Sequence, residues 1–200
     1  MIDEWDDLTD DPMPLLRSWL PDNDERVRPL MTLATLDDHG APDARSVLLS
    51  EWDADGFYWH TDARSRKIAQ VTAAPAVALC IPLLGVPYAD AKHQLVVQGL
   101  AEPAPRAEQE RAYAARAVYL QQLAWQNTPE FAALPQSERV AAWAEFGAAH
   151  TDGFTPPEDW TGRLVRPQRL TFWFGSEHTA SRRVEYTRRG DGWERQILAG

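Results

Sequence analysis

The chain has 200 residues, 44% of them hydrophobic, and a formal net charge of −10. That length and apolar share suit a single globular domain. No window approaches the roughly 20 apolar residues of a membrane span, and the acidic balance argues against nucleic acid, whose backbone needs a basic face. The one cysteine, Cys80, excludes an internal disulfide, and the acidic stretch Met1–Asp11 lacks the basic and apolar regions of a signal peptide, so a cytoplasmic protein is expected.

Pro12 and Pro14, followed by Leu15, Leu16, Trp19 and Leu20, predict a short amphipathic helix over 12–20. Residues 1–28 thus read as an N-terminal helix and linker, and 29–200 as the main body of the single domain. Strands are predicted at 30–36, 43–50 and 57–61. Asp37-Asp38-His39-Gly40 and Asp53-Ala54-Asp55-Gly56 join them, turns of the Asp/Gly type that connect antiparallel neighbours. Ser65 reads as the N-cap of a helix over 65–73 that Pro75 stops. The first turn of that helix carries Arg66 and Lys67, cations that oppose the helix dipole. The conflict implies an anion there, and free backbone N–H groups at a helix start suit a phosphate. The cations must act locally, since charges beyond about 8–10 Å are largely screened.

Ala76–Leu83 reads as a continuous buried strand, with Cys80 a small buried hydrophobe. Lys92–Glu102 reads as a long strand that leaves the core at Pro103. Helices are predicted over 106–122 and 136–149, with Asn127-Thr128-Pro129-Glu130 a turn and 151–160 a loop. Strands at 163–174, 182–188 and 192–198 follow, the last two joined by Arg189-Gly190-Asp191-Gly192. The sum is an α+β fold of six to eight mostly antiparallel strands with flanking helices, and closure into a barrel would remove exposed sheet edges. The five histidines show no metal-ligand spacing, no metal is expected, and neither a P-loop nor G-x-G-x-x-G occurs.

Five pieces in order carry a family resemblance: Met31-Thr32-Leu33-Ala34-Thr35, Ala44-Arg45-Ser46-Val47-Leu48-Leu49, Ser65-Arg66-Lys67, Gln94 within His93–Gly99, and Phe172-Trp173-Phe174-Gly175. Together they resemble the pyridoxamine 5′-phosphate oxidase-like FMN-binding split barrels from Met31 onward. The resemblance implies a split β-barrel, a homodimer with the flavin site at its interface, FMN as cofactor and a small-molecule substrate. The deazaflavin F420 is the alternative cofactor, since some split barrels use it. Carried over residue by residue, Arg45, Ser46, Val47 and Leu48 would lie against the flavin. His60, Thr61, Ser65, Arg66 and Lys67 would hold or flank its phosphate, and His60 departs from the family's usual tyrosine. Gln94 would meet the ring edge, whose carbonyl–NH–carbonyl pattern an amide can match. Trp173 and Arg183 would be C-terminal flavin contacts. Gln126 is the nearest counterpart of a residue that reaches the flavin from the neighbouring subunit.

The departures concern the substrate. Where the family has a lysine for the substrate phosphate, this chain has Ser50. Where it has Arg-Leu-His, this chain has Thr179-Ala180-Ser181. Tyr113 and Arg116 could replace two other phosphate ligands, and Arg182 lies one residue beyond Ser181. Losing charge-assisted contacts worth about 1.5–3 kcal/mol each disfavours pyridoxamine 5′-phosphate. The expectation is an FMN-dependent oxidoreductase with another substrate and no catalytic residue named. The rivals are a genuine pyridoxamine/pyridoxine 5′-phosphate oxidase and a protein that binds flavin or F420 without turnover.

Overall fold

A computed structural model describes residues 8–83 and 92–200. The chain runs α1 (Met13–Trp19), β1 (Leu30–Leu36), β2 (Pro42–Leu48), β3 (Glu51–Trp52), β4 (Phe57–Asp62), α2 (Arg66–Ala73), β5 (Ala76–Leu83) and β6 (Lys92–Pro103). Four helices follow, α3 (Arg106–Ala115), α4 (Val118–Gln126), α5 (Pro129–Ala133) and α6 (Gln136–Ala149). The chain then finishes with β7 (Trp160–Gly175), β8 (Arg182–Arg189) and β9 (Gly192–Ala199). Every strand pair is antiparallel, in the order β2-β1-β5-β6-β7-β4-β3, with β8 and β9 branching from β7. The result is a curled, mostly antiparallel half-barrel with flanking helices.

Period-two alternation builds the core. Met31 and Leu33, Leu79 and Ile81, Leu95 and Val97, and Leu170 and Phe172 point to one face of four strands and are essentially inaccessible. Leu15, Leu16 and Trp19 of α1 and Ile68 and Val71 of α2 close that core. Each such side chain, fully buried, contributes about 1.5–3 kcal/mol.

The long β7 serves two sets of partners. Its first half pairs with β4 and its second with β8, while β6 runs beside both. The register shifts between Gln98 and Gly99, opposite Pro167, so a bulge bends the ladder where the partners change. Only glycine fits there, because a Cβ on Gly99 would run into the Arg166 carbonyl.

Several expectations change. The sheet has nine strands among the described residues, because Glu51–Trp52 forms a separate two-residue strand and β2 ends at Leu48. The apolar run 76–83 is not buried throughout. It alternates, so Cys80 is half-exposed on the outer face between Thr32 and Val96 rather than in the core. The helix expected over 106–122 breaks at Arg116, whose extended backbone (ψ 146°) turns its side chain toward Trp160. The expected turn at 127–130 starts a helix instead, since Thr128 accepts from the Phe131 N–H and Pro129 suits the first helical position. Residues 1–7 of the acidic N-terminal stretch lie outside the described residues.

Candidate active site

A cleft of about 230 Å³ opens between β2, the end of β4, the start of α2 and helix α4. Hollows of about 500 Å³ beside α1 and about 910 Å³ beside the 152–158 loop are larger. Neither brings together the hydroxyls and cations that the smaller cleft does. Ser46, Val47, Leu48, His60, Thr61, Lys67 and Arg116, all singled out from sequence, line it.

One end of the cleft is built for an anion. Lys67 Nζ donates to Thr61 Oγ1 at 3.0 Å, and Ser65 Oγ lies 3.5 Å from the same hydroxyl. Burial pushes the Lys67 ammonium below its ordinary pKa, and repulsion from Arg45 and Arg66 adds to this against attraction by Asp62. Ser65 makes no side-chain cap and the first turn of α2 holds no acid; the Ile68 N–H donates to the Ser65 carbonyl, and the Arg66 and Lys67 N–H groups are left to a ligand.

Arg45 and Arg66 do not join Lys67 in the cleft wall. Strand alternation puts Arg45 on the face opposite Ser46, where it donates to Thr35 Oγ1 and Gln70 Oε1, both at 2.6 Å. Asp43, two residues earlier on the same face, lies 2.7 Å from Arg45 and 3.0 Å from Arg66 and accepts from Gln70 at 2.9 Å. The Gln70 hydrogen bond first, then the two guanidinium groups, hold the Asp43 carboxyl below its ordinary pKa. The anion that the sequence pattern demanded at Arg66 is thus, in this arrangement, the protein's own Asp43.

The opposite end is a closed network. His60 Nδ1 is 2.8 Å from Ser50 Oγ and its Nε2 is 3.1 Å from Glu108 Oε2. Its ring lies parallel to the Trp160 indole, with centroids 5.1 Å apart and planes 4° apart. Arg116 also stacks over the Trp160 indole, its Cζ 4.5 Å from the ring centroid, and burial lowers its pKa. Tyr113 packs edge-on to Trp160 and donates to the Gln121 carbonyl at 3.1 Å, with burial raising its phenol.

The C-terminal candidates form a separate group. Gln94 on β6, Trp173 on β7 and Arg183 on β8 are register neighbours across three adjacent strands. They share the outer face with Ser46, through the row Ser46, Thr32, Cys80 and Val96. None of Gln94, Trp173 and Arg183 lines the cleft, so the two groups stand apart in one chain. Arg182 pairs with Phe174 and therefore alternates to the other face. Gln126 accepts from Gln122 and donates to the Ala142 carbonyl, leaving Asn127 to line the cleft. Ser181 lies beside the C-terminal Gly200, whose N–H donates to its carbonyl at 3.0 Å.

Sequence reading missed Asp43, Glu108 and Trp160. Asp43 was findable, because a residue two before Arg45 on a strand shares its face. Glu108 sits in an Arg- and Glu-rich helix start where nothing local marks it, and Trp160 fell in an expected loop.

Residues 25–150 match the family model described as pyridoxamine 5′-phosphate oxidase. Residues 160–200 match that described as pyridoxine 5′-phosphate oxidase C-terminal dimerisation region. A pyridoxine/pyridoxamine 5′-phosphate oxidase of Shewanella halifaxensis is 32% identical over 198 residues, 97% of this chain and 91% of the relative. One from Thermosynechococcus vestitus is 36% identical over 202 residues, 96% of this chain and 90% of its own. Among solved structures, PhzG from Burkholderia lata, in complex with tetrahydrophenazine-1-carboxylic acid, superimposes with a TM-score of 0.78 at 22% identity, covering 100% of this chain and 98% of its own. A pyridoxamine 5′-phosphate oxidase-related, FMN-binding protein of Nostoc punctiforme gives 0.71 at 15% identity, covering 97% and 99%.

Proposed function

We propose, from the premise that this chain belongs to the pyridoxamine 5′-phosphate oxidase family, that it is an FMN-dependent oxidoreductase whose preferred substrate is not pyridoxamine 5′-phosphate. The observation that carries the cofactor half is the anion-ready end of the cleft. Lys67, Thr61 and the unclaimed N–H groups of α2 present charge and donors on one side. FMN supplies hydride chemistry when bound, and the protein supplies position and electrostatics. Lys67 and Thr61 hold the phosphate, Ser65 flanks it, and Arg66 joins once it leaves Asp43. The strand Arg45–Leu48 borders the ring and Gln94 meets its edge.

Ser50 supports the substrate half. The resemblance expects a phosphate-binding lysine there, but the serine hydroxyl is held by a buried histidine. No cation from Thr179–Ser181 replaces it, and Arg182 alternates away from Arg183.

The separation of the two residue groups supports a homodimer in which Trp173 and Arg183 of one copy face the cleft of the other. A cleft of about 230 Å³ is also below the roughly 300–1,000 Å³ usual for small-molecule sites, which a second copy would enlarge. Light scattering that finds an FMN-loaded monomer at micromolar concentration would remove this part of the reading.

The decisive test starts with the absorbance of purified protein, which separates FMN from F420. The FMN-loaded protein is then mixed with pyridoxamine 5′-phosphate in air while pyridoxal 5′-phosphate and hydrogen peroxide are followed. NADH, NADPH and a panel of small amines and alcohols are tried in parallel. Rapid pyridoxal 5′-phosphate formation would restore the vitamer oxidase reading, and a flavin that no donor reduces would leave a binding protein.

A further inference from the structure

Glu108 is the buried acid that the anion end of the cleft does not explain. Its side chain is 5% exposed, and one carboxylate oxygen, Oε1, has no hydrogen-bond partner. Its partner His60 is 1% exposed and reaches Ser50 with the other ring nitrogen. Room for this ring depends on Gly162, where a Cβ would lie 2.7 Å from His60 Nε2. A buried carboxylate is costly even when paired. A simple tie between α3 and the sheet does not require one, because Arg111 binds Glu51 at 2.6 Å and Gln109 Oε1 accepts from the Gly162 N–H at 3.1 Å.

The chain of contacts has a direction. A carboxylate can only accept, so Nε2 carries the ring proton and Nδ1 is left to accept from the Ser50 hydroxyl. Both nitrogens are engaged, so a proton from outside reaches His60 only through Ser50. Ser50 is half-buried, whereas the His60 and Glu108 side chains are only 1% and 5% exposed. A hydroxyl, an imidazole and an orienting acid in hydrogen-bond series form the arrangement that makes a weak hydroxyl a proton acceptor.

We propose that Ser50, His60 and Glu108 form a proton relay for substrate oxidation, a role that rests on the oxidoreductase reading above. The donor carries hydrogen on a carbon and on an adjacent nitrogen or oxygen. Its C–H bond breaks and the hydride, with both electrons, goes to the oxidised flavin. Its N–H or O–H bond breaks, the proton passes to Ser50 Oγ, and the proton of Ser50 moves to His60 Nδ1. A C=N or C=O bond forms, and the imidazolium held by Glu108 later returns its proton to water through Ser50. The charged and titratable groups on the elements that meet around His60 are Glu108, Arg111 and Tyr113 of α3, Arg116 just beyond it, Tyr58 and Asp62 of its own strand, Glu51 of β3 and Lys67 of α2.

Two measurements on the full chain test this. In the first, ¹⁵N-histidine NMR of the FMN-free protein reads the ring tautomer, with the signal assigned through His60→Gln. An Nε2–H tautomer at neutral pH is expected, with Nδ1 shifted by Ser50→Ala. An Nδ1–H tautomer, or an imidazolium that never titrates between pH 5 and about 9, overturns the relay whatever the flavin does.

The second is the rate of flavin reduction in FMN-loaded protein. The donors are pyridoxamine and pyridoxine 5′-phosphates, the amines and alcohols of the panel, and NADPH, which gives up hydride without losing a proton from nitrogen or oxygen. Ser50→Ala and Glu108→Gln, each checked by thermal melting, should slow amine and alcohol donors about 100-fold or more while leaving NADPH unchanged, and Ser50→Thr should restore the rate. Equal slowing with NADPH, or no slowing, assigns the triad a structural role only. A flavin that NADPH reduces but no amine or alcohol does overturns the relay and keeps the oxidoreductase reading, whereas a flavin that no donor reduces overturns both.

Discussion

The sheet and the helical excursion between β6 and β7 are held together by different means. The sheet buries rows of Val, Leu, Ile and Phe on one face, and its core strands carry side chains with no accessible surface. In the excursion, α5 and α6 bury nothing and α4 buries only Gln122. What joins these helices is polar and aromatic: Gln122 donates to Gln126 and to the Trp143 carbonyl, Trp125 donates to the Thr155 carbonyl, and Phe146 of α6 meets Trp125 and stacks on Phe154. Val118, Tyr119, Trp125 and Val140 stay exposed. The frame is therefore independent of ligand, whereas the excursion, which brings Asn127 to the cleft, gains from whatever fills or covers it.

Truncation in each region gives the largest contrast. Phe172→Ala, at a fully buried site packed on Trp19 and Tyr186, should cost about 3–5 kcal/mol in urea unfolding. Val140→Ser, on exposed α6, should stay within about 0.5 kcal/mol. Comparable costs would mean that the excursion is packed by a second copy in solution.

The cleft offers a sharper contrast between two neighbouring cations. Lys67 faces the cleft and Thr61, while Arg66 is tied to Asp43. Lys67→Ala should weaken FMN binding by about 1.5–3 kcal/mol, or roughly ten- to a hundred-fold, and Arg66→Ala by less. The double substitution should give the greatest loss. Unchanged affinity in the double variant, measured by flavin fluorescence titration, would place the phosphate elsewhere.

A third test stays within the excursion. Thr128 caps α5 through the Phe131 N–H at 3.2 Å, so Thr128→Ala should cost about 1 kcal/mol. The loss should appear as faster hydrogen exchange in α5 and α6 with little change in the sheet. A matching loss across β5 and β6 would show one cooperative unit rather than two.

The same division explains what the sequence made legible. β1, β5 and α6 fall on the residues expected from turn chemistry, an apolar run and helix formers, because local rules decide the extent of such elements. The break at Arg116 is not local: no Gly or Pro marks it, and the extended residue is used in stacking over Trp160 forty-four positions on. In the candidate site, Lys67 was marked because a cation at a helix start conflicts with the dipole, and Thr61 through the family resemblance. The pairing of His60 with Glu108 was not, since the partners are 48 residues apart and neither has a local signature. Arg66 shows the limit of the local argument: the demand for an anion was legible, but its nearest source was Asp43 on a strand expected only to bear the flavin.

Asp43→Asn gives the smallest effect and bears most directly on that point. Asp43 lies between Arg45 and Arg66 and competes with an incoming phosphate for the same guanidinium groups. Removing its charge should raise FMN affinity severalfold while leaving Lys67 and Thr61 in place. The substitution also has a pH signature. The folded-state pKa of Asp43 is held below its unfolded value of 3.8, so its contribution to stability is present above that value and fades as pH falls through the folded value. Urea midpoints of the wild type and Asp43→Asn should therefore differ most near neutral pH and converge below about pH 4. A variant that binds FMN more weakly would instead give Asp43 a supporting role, orienting Arg45 and Arg66 toward the phosphate rather than competing for them.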